Sequence, residues 1–284
     1  MQDTLKLDPR LTPARPDLAA KHLEGLVAAQ RFVAGEERRV VVPVAPLKRR
    51  PAGDAPLETE ALFGEAVEVF DTDAEGWSWV QLRKDGYVGY MPAEALGSPG
   101  MAPSHKVAAL RTFLFPGPDI KLPPRDALVI GSQVAVRELR GAFAVTSDGF
   151  LPAVHLAALE AQEADFVEVA ARFLGVPYLW GGRSSLGIDC SGLVQSALAA
   201  TGIPAPRDSD MQEHGLGEAV PVDAPVKRGD LLFWPGHVAI AEDAETLLHA
   251  NAFHMAVARE PRAGALARIA DAGLALRGIR RLAP

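Results

Sequence analysis

Between residues 37 and 158, apolar and polar residues alternate in short runs broken by turn residues, the period-2 pattern of half-buried strands in small antiparallel barrels. In the run from Trp77 to Leu82, Trp77, Trp79 and Gln81 fall on one strand face and Ser78, Val80 and Leu82 on the other. The pattern occurs twice. Gly89-Tyr-Met-Pro-Ala-Glu-Ala-Leu96 matches Gly149-Phe-Leu-Pro-Ala-Val-His-Leu156 in residue type, and upstream Gly64-Glu-Ala-Val-Glu-Val69 matches Gly131-Ser-Gln-Val-Ala-Val136. An internal repeat of this kind sets the domain count, and the Gly- and Pro-rich stretch from Gly97 to Ser104 reads as the linker between copies. Beyond residue 160 the period lengthens. Phe166, Val169, Ala170 and Phe173 recur at helical spacing with Gly175 as the stop, and Val176 before Pro177 must be extended. A second helix is predicted from Cys190 to about Ala200, burying Leu193, Val194 and Leu198, ending at Gly202 and capped by Asp189 or Cys190 itself. The predicted organisation is an extension (1–36), two small β-barrels (37–98 and 105–158) and an α+β domain (160–284) whose helices pack on an antiparallel sheet. Within the extension, the stretch from Leu18 to Leu26 after Pro16-Asp17 is expected to form a short helix.

Leu231 to Trp234, His237 to Ala241 and Thr246 to His249 are predicted as successive strands. Side chains alternate faces along a strand. For His237 and His249 to stand opposite each other, their even separation therefore requires an odd-numbered hairpin loop, three residues centred on Asp243 or five. Rings placed in this way can hydrogen-bond and fix the tautomer in which one His237 nitrogen is free to accept a proton. Taken alone, either histidine also reads as a satisfied core residue.

A chain of 284 residues has room for two or three domains. Its net charge of -7 argues against a nucleic-acid partner and offers no basic patch to an anionic membrane. No stretch is long enough to span a bilayer. Asp3, Asp8, Pro9 and Pro13 interrupt the apolar core that a signal peptide would need, so a cytoplasmic location is expected, with the periplasm as the alternative. The one cysteine forms no internal disulfide, which fits a reducing compartment. Cys190 sits where a Gly-rich loop meets a helix, so the helix dipole and the first N–H groups favour its thiolate and are placed to hold an oxyanion. A cysteine followed by His237 and then His249 is the order of a thiol hydrolase. The bland alternative is a small buried hydrophobe. Zinc held by Cys190, His237 and His249 lacks the usual ligand spacing, so neither metal nor cofactor is expected. Trp77 and Trp79 are expected to pack within the barrel, while Asp208 and Ser209 could equally cap the helix that follows them.

Several spaced motifs together resemble the NlpC/P60 cysteine peptidases: Tyr178-Leu-Trp-Gly-Gly182, Asp189-Cys-Ser-Gly192, Arg207-Asp-Ser209 with Gln212, Gly229-Asp-Leu231, Gly236-His-Val238, and His249. The resemblance covers residues 160 to 284 and implies a papain-like fold. It further implies that Cys190 attacks, His237 acts as the base and His249 orients it. The two upstream repeats resemble bacterial SH3 domains, the first more closely than the second. Family members with this arrangement resemble dipeptidyl-type peptidases that recognise a free N-terminal L-Ala and cut the bond from γ-D-Glu to a diamino acid. The resemblance thus implies an enzyme recycling murein peptides, with substrate groups Tyr178, Asp189, Ser191, Asp208 and Ser209, joined by Glu60, Tyr87 and Tyr90 of the first barrel; the oligomeric state is open, with a monomer expected. An acid among these is expected to meet the substrate ammonium. An exported hydrolase of intact wall, a thiol acyltransferase or amidase, and a non-catalytic wall-binding module are the rival readings.

Overall fold

The structure is a computed structural model that describes residues 7–282. It contains two compact units, Met1–Leu128 with Ser132–Leu159, and Val129–Gly131 with Glu160–Pro284.

In the first unit, a seven-stranded sheet runs in the order Leu57–Leu62, Val44–Lys48, Val88–Pro92, Trp77–Leu82, Ala66–Thr72, Glu36–Val40, Leu96–Gly97. Val80 and Leu82 enter its core with Val40, Leu47, Val67 and Met91. The opposite face is closed by the N-terminal extension: Leu18, Ala20 and Leu23 pack against Phe70 and Trp79. Arg15 lies over the Trp79 ring at 4.4 Å and donates to Tyr90 Oη at 3.1 Å and to Asp71 at 2.8 Å. The extension differs from the expected helix. Leu18–Ala20 pairs in parallel with Arg31–Val33, and only Lys21–Leu23 makes a helical turn, of 3₁₀ type. Three consecutive buried residues, Leu18, Ala19 and Ala20, suit a strand covered on both faces better than an amphipathic helix.

The second repeat is more broken. It forms three small sheets, with strand His105–Val107 at the centre of one and Phe143–Thr146 at the centre of another. They enclose Val107, Leu114, Leu128, Val134 and Leu151. What the two copies share is a strand that ends in proline, a 3₁₀ turn and a short strand: Pro92, Ala93–Ala95 and Leu96–Gly97 in the first, Pro152, Ala153–His155 and Leu156–Ala158 in the second.

The second unit contains helices α1 (Phe166–Ala171), α2 (Cys190–Ala200), α3 (Ser209–Gly215) and α4 (Arg262–Asp271). Its six-stranded antiparallel sheet has the order Glu218–Val220, Gly278–Arg281, Leu231–Trp234, His237–Ala241, Thr246–Asn251, Ala256–Pro261. One face, bearing Leu232, Trp234, Ala239, Ala241 and Leu247, is covered by Ala265 and Ile269 of α4. The alternate residues Val238, Ile240, Leu248 and Ala250 are fully buried too, and α2 packs against the two strands that carry them. Helix α1 is shorter than its apolar spacing predicts. After Ala171 the chain tightens into i,i+3 bonds, such as Phe173 N–H to Ala170 O, before Gly175 turns it at φ +80°. None of the helices among the described residues is long and apolar enough to cross a membrane.

The histidine hairpin has the expected odd loop with a shifted centre. Ile240 pairs with Leu248 and Ala241 with Leu247, and Glu242 N–H donates to Thr246 O at 2.9 Å. The loop is therefore 243–245, centred on Ala244 rather than Asp243. The Asp243 carboxylate accepts the N–H groups of Glu245 and Thr246, both at 2.8 Å, which makes it the first residue of the turn. Carried along the strands, this register sets Ala239 opposite His249 and leaves His237 diagonal to it.

Candidate active site

Cys190 is the first residue of α2, and Asp189 caps the helix by accepting Gly192 N–H at 2.7 Å. The approaching loop is held close. Tyr178 N–H bonds Met255 O at 2.9 Å, and Asp189 N–H bonds Gly182 O at 3.1 Å. At Gly182 a Cβ would lie 2.5 Å from Gly187 O, so only glycine fits there. Beneath the cysteine lies a buried ion pair. Arg207 Nη1 and Nη2 donate to the two Asp189 oxygens at 3.0 and 2.7 Å, Nη1 also donates to Ser191 Oγ at 2.9 Å, and Gly181 N–H reaches Asp189 Oδ2 at 2.9 Å. Gln212 Nε2 donates to Ser191 O and Pro206 O, each at 2.9 Å. Burial opposes the charge on Arg207, but Asp189 outweighs it and holds the guanidinium charged. Asp189 thus reaches the site with its charge already matched, as the clamp of the cysteine helix.

On the sheet side, His237 Nε2 is 3.0 Å from His249 Nδ1, with ring centroids 5.2 Å apart. The diagonal placement is within reach of two rings. The Trp234 ring lies 5.7 Å from that of His237. His249 Nε2 is 3.1 Å from Glu260 Oε2, and Arg268 grips the same carboxylate at 3.0 Å through Nε and 2.7 Å through Nη2. Burial drives both imidazoles toward the neutral form, His237 down to about 3 with help from His249 and Arg268, and His249 down to about 4 against the pull of Glu260. Hydrogen bonds and charge from Arg268 hold Glu260 below the usual carboxylate range.

The thiol departs from the thiolate that its helix position suggests. Burial pushes it up to about 12, with the Asp189 charge adding, while Val238 N–H, Arg207 and Ser191 N–H pull the other way. The resting pair is therefore a neutral thiol and a neutral imidazole. Burial, then the nearby Cys190 and Asp189, also raise the Tyr178 phenol.

The structure thus brings Tyr178, Asp189, Cys190, Ser191 and Arg207 together at one end of the site, and His237 and His249 at the other. Asp208 occupies the cap position of α3, yet its side chain makes no capping bond; its charge supports Arg207 instead. Ser209 is the first residue of that helix. Asp230, from the Gly-Asp-Leu motif, is buried and paired with Arg281 at 2.7 and 2.6 Å, a tie at the sheet rather than a reacting group. In the first unit, Glu60 is buried, Tyr87 is a core residue whose Oη donates to Glu58 at 3.4 Å, and Tyr90 receives Arg15. His249, His254 and Glu260 carry ligand atoms within 4.8 Å of one another. Glu260 is already neutralised by Arg268, and both His249 nitrogens are engaged, so this donor set suits a hydrogen-bond chain better than a cation. Sequence reasoning missed Glu260 and Arg268. The one available signal was a carboxylate in line with Ala256 and Ala258 on an otherwise small-residue strand face.

Residues 175–267 match the NlpC/P60 family and residues 47–96 the bacterial dipeptidyl-peptidase Sh3 domain, which is the first of the two repeats. Among curated proteins, a γ-D-glutamyl-L-lysine dipeptidyl-peptidase of Bacillus subtilis is 34% identical over 201 residues, covering 64% of this chain and 65% of the relative. Dipeptidyl-peptidase 6 of Lysinibacillus sphaericus is 40% identical over 85 residues, 30% of this chain and 31% of the relative. The chain therefore aligns with less than two thirds of the length of either. An NlpC/P60 family protein from Bacillus cereus superposes with a TM-score of 0.74 at 22% identity, covering 88% of this chain and all of the other. The chain carries an NlpC/P60 domain of papain-like fold, preceded by a bacterial SH3 domain.

Proposed function

We propose that the protein is a cysteine peptidase that hydrolyses peptidoglycan-derived peptides at the bond from γ-D-glutamate to a diamino acid. The observation that carries this reading is the thiol at the start of a capped helix in the same unit as the paired rings of His237 and His249. Cys190 Sγ attacks the γ-carbonyl as its proton passes to His237. The N–H of Cys190, at the positive end of α2, donates a hydrogen bond to the developing oxyanion. His237 then returns the proton to the leaving α-amine, and water attacks the thioester through the same base to release the dipeptide acid. Because burial keeps thiol and imidazole neutral at rest, the proton moves with the attack instead of before it.

The finer reading is recycling of released wall peptides in the cytoplasm. Its preference for released peptides is supported by the relatives' names, since a dipeptidyl-peptidase removes a dipeptide from a free amino end. The test is digestion of L-Ala-γ-D-Glu-L-Lys and its diaminopimelate counterpart, followed by mass spectrometry. L-Ala-γ-D-Glu is expected from the wild type and none from Cys190→Ala. His237→Ala should lose nearly as much, and the double variant no more than either single one, because nucleophile and base act as a unit. Acetylating the N-terminal amine is expected to lower kcat/KM on the order of 30-fold or more, the cost of leaving a charged partner unpaired. Equal cleavage of free peptide, acetylated peptide and intact sacculi would replace recycling with wall lysis.

A further inference from the structure

Behind the histidine pair, Glu260 and Arg268 stand outside the bond-breaking step, and their hydrogen bonds still constrain it. Glu260 is ionised beside Arg268, and an ionised carboxylate can only accept. Its Oε2, 3.1 Å from His249 Nε2, therefore requires a proton on that nitrogen. A neutral imidazole carries one N–H, so His249 Nδ1 is bare and accepts from His237 Nε2 at 3.0 Å. That bond fixes the His237 proton on Nε2 and leaves Nδ1 bare, which is the tautomer able to take the thiol proton. With the chain reversed, His249 Nδ1–H would face His237 Nε2, the His237 proton would sit on Nδ1, and the ring could not act as the base.

We propose that Glu260, gripped by Arg268, is a positioning residue that sets the direction of the hydrogen-bond chain through His249 and so keeps His237 in its base-competent tautomer. This rests on the peptidase reading for its consequence in turnover, but the tautomers themselves are open to direct measurement. The charged and titratable groups bearing on His249 are Glu260, Arg268, His254 and the His237 ring. His254 is itself held by the Asn251 amide oxygen, which accepts its N–H at 2.8 Å and faces its Nδ1 at 3.0 Å.

The test uses the full chain with ¹⁵N-labelled histidine rings. In the wild type, His237 and His249 should each show a protonated Nε2 and a bare Nδ1. In Glu260→Gln the amide can either accept or donate, so mixed tautomers should appear, with kcat lowered roughly 10- to 100-fold as part of the general-base contribution is lost. KM should stay within about 2-fold, since no substrate contact is removed. The decisive background is His249→Asn, whose side-chain oxygen still accepts from His237 Nε2 but no longer relays Glu260. There, adding Glu260→Gln should leave kcat unchanged, whereas a merely structural role would repeat its loss. Should Glu260→Gln fail to fold, Arg268→Gln serves: the unpaired carboxylate takes up a proton on the acid side, and mixed ring tautomers should appear as pH falls. Unmixed tautomers in the variants, or an equal kcat loss in both backgrounds, would overturn the proposal. The ring spectra need no turnover, so failure of every peptide to be cleaved would count against the peptidase reading alone.

Discussion

Two carboxylate–arginine pairs flank the candidate site, and they differ in dryness more than in geometry. Asp189 and Arg207, beneath the cysteine, meet at 2.7 Å with side chains 10% and 1% exposed. Glu260 and Arg268, behind the histidines, also meet at 2.7 Å, but Arg268 remains 28% exposed. A guanidinium sealed from water depends wholly on its partner, whereas one that still touches solvent can be rehydrated when the partner goes. The two carboxylates also spend their hydrogen bonds differently. Asp189 accepts from the backbone N–H groups of Gly181 and Gly192 and so holds the chain around Cys190. Glu260 accepts from a ring and so influences a proton. One pair is a clamp on the fold and the other a bias on the chemistry.

Breaking each pair from its arginine side tests this contrast. Arg207→Ala leaves Asp189 buried without its counter-charge and should destabilise the second unit by roughly 3 to 5 kcal/mol. Hydrogen exchange of the α2 amides and the melting transition would read that loss. Arg268→Ala should cost about 1 to 2 kcal/mol in the same measurements, as expected for lost charge-assisted hydrogen bonds to a partly wet group. Its effect on kcat should exceed its effect on stability. If the two substitutions cost the same, burial is not what separates the pairs.

The helix bearing Cys190 was legible in the sequence because its cap, its apolar spacing and its terminal glycine all point the same way. The pairing of His237 with His249 was legible too, since parity alone decides which strand residues share a face. The hairpin centre was not. Asp243 draws two N–H groups to its own side chain and moves the turn by one residue, a local competition that alternation does not encode. Arg207 stood in a quoted motif, but its role depends on Asp189, eighteen residues earlier, and an arginine next to Asp208 and Ser209 reads as an exposed helix start. Leu18–Ala20 was misread for a related reason. Its strand partner, Arg31–Val33, and its cover, Phe70 and Trp79, are both supplied from elsewhere in the chain.

Acid offers a way to unload the histidine side. His249 has an ordinary value near 6.5 and is held down to about 4 in the fold, chiefly by burial. A base with a depressed folded pKa takes its proton more readily in the unfolded chain. Stability is therefore full above about pH 6.5 and falls as pH drops toward 4, by about 3 kcal/mol for this ring alone. Glu260, also held low, adds loss in the same direction below its own unfolded value. Denaturant titrations from pH 7 to pH 4.5 should show the slope in the wild type and a flatter one in His249→Asn. An unchanged slope would mean that the acid sensitivity lies elsewhere.

The smallest expected effect separates geometry from burial as the origin of the contrast. Arg172 and Glu163 form a two-point ion pair in the same unit, with both distances 2.8 Å, as good as either pair at the site. Their side chains are 39% and 37% exposed. If short distances and paired hydrogen bonds were what made Arg207 important, Arg172→Ala should be costly as well. Solvent screening and the rotamer freedom regained by two long side chains argue for a change within about 1 kcal/mol. Raising the salt concentration should erase even that difference, since exposed charges are screened within a Debye length of roughly 10 Å. Under the same salt Arg207→Ala should keep its deficit, because ions cannot replace a partner that water cannot reach. A loss at Arg172 approaching that at Arg207 would show that pairing geometry, and not exclusion of water, sets the strength of these bridges.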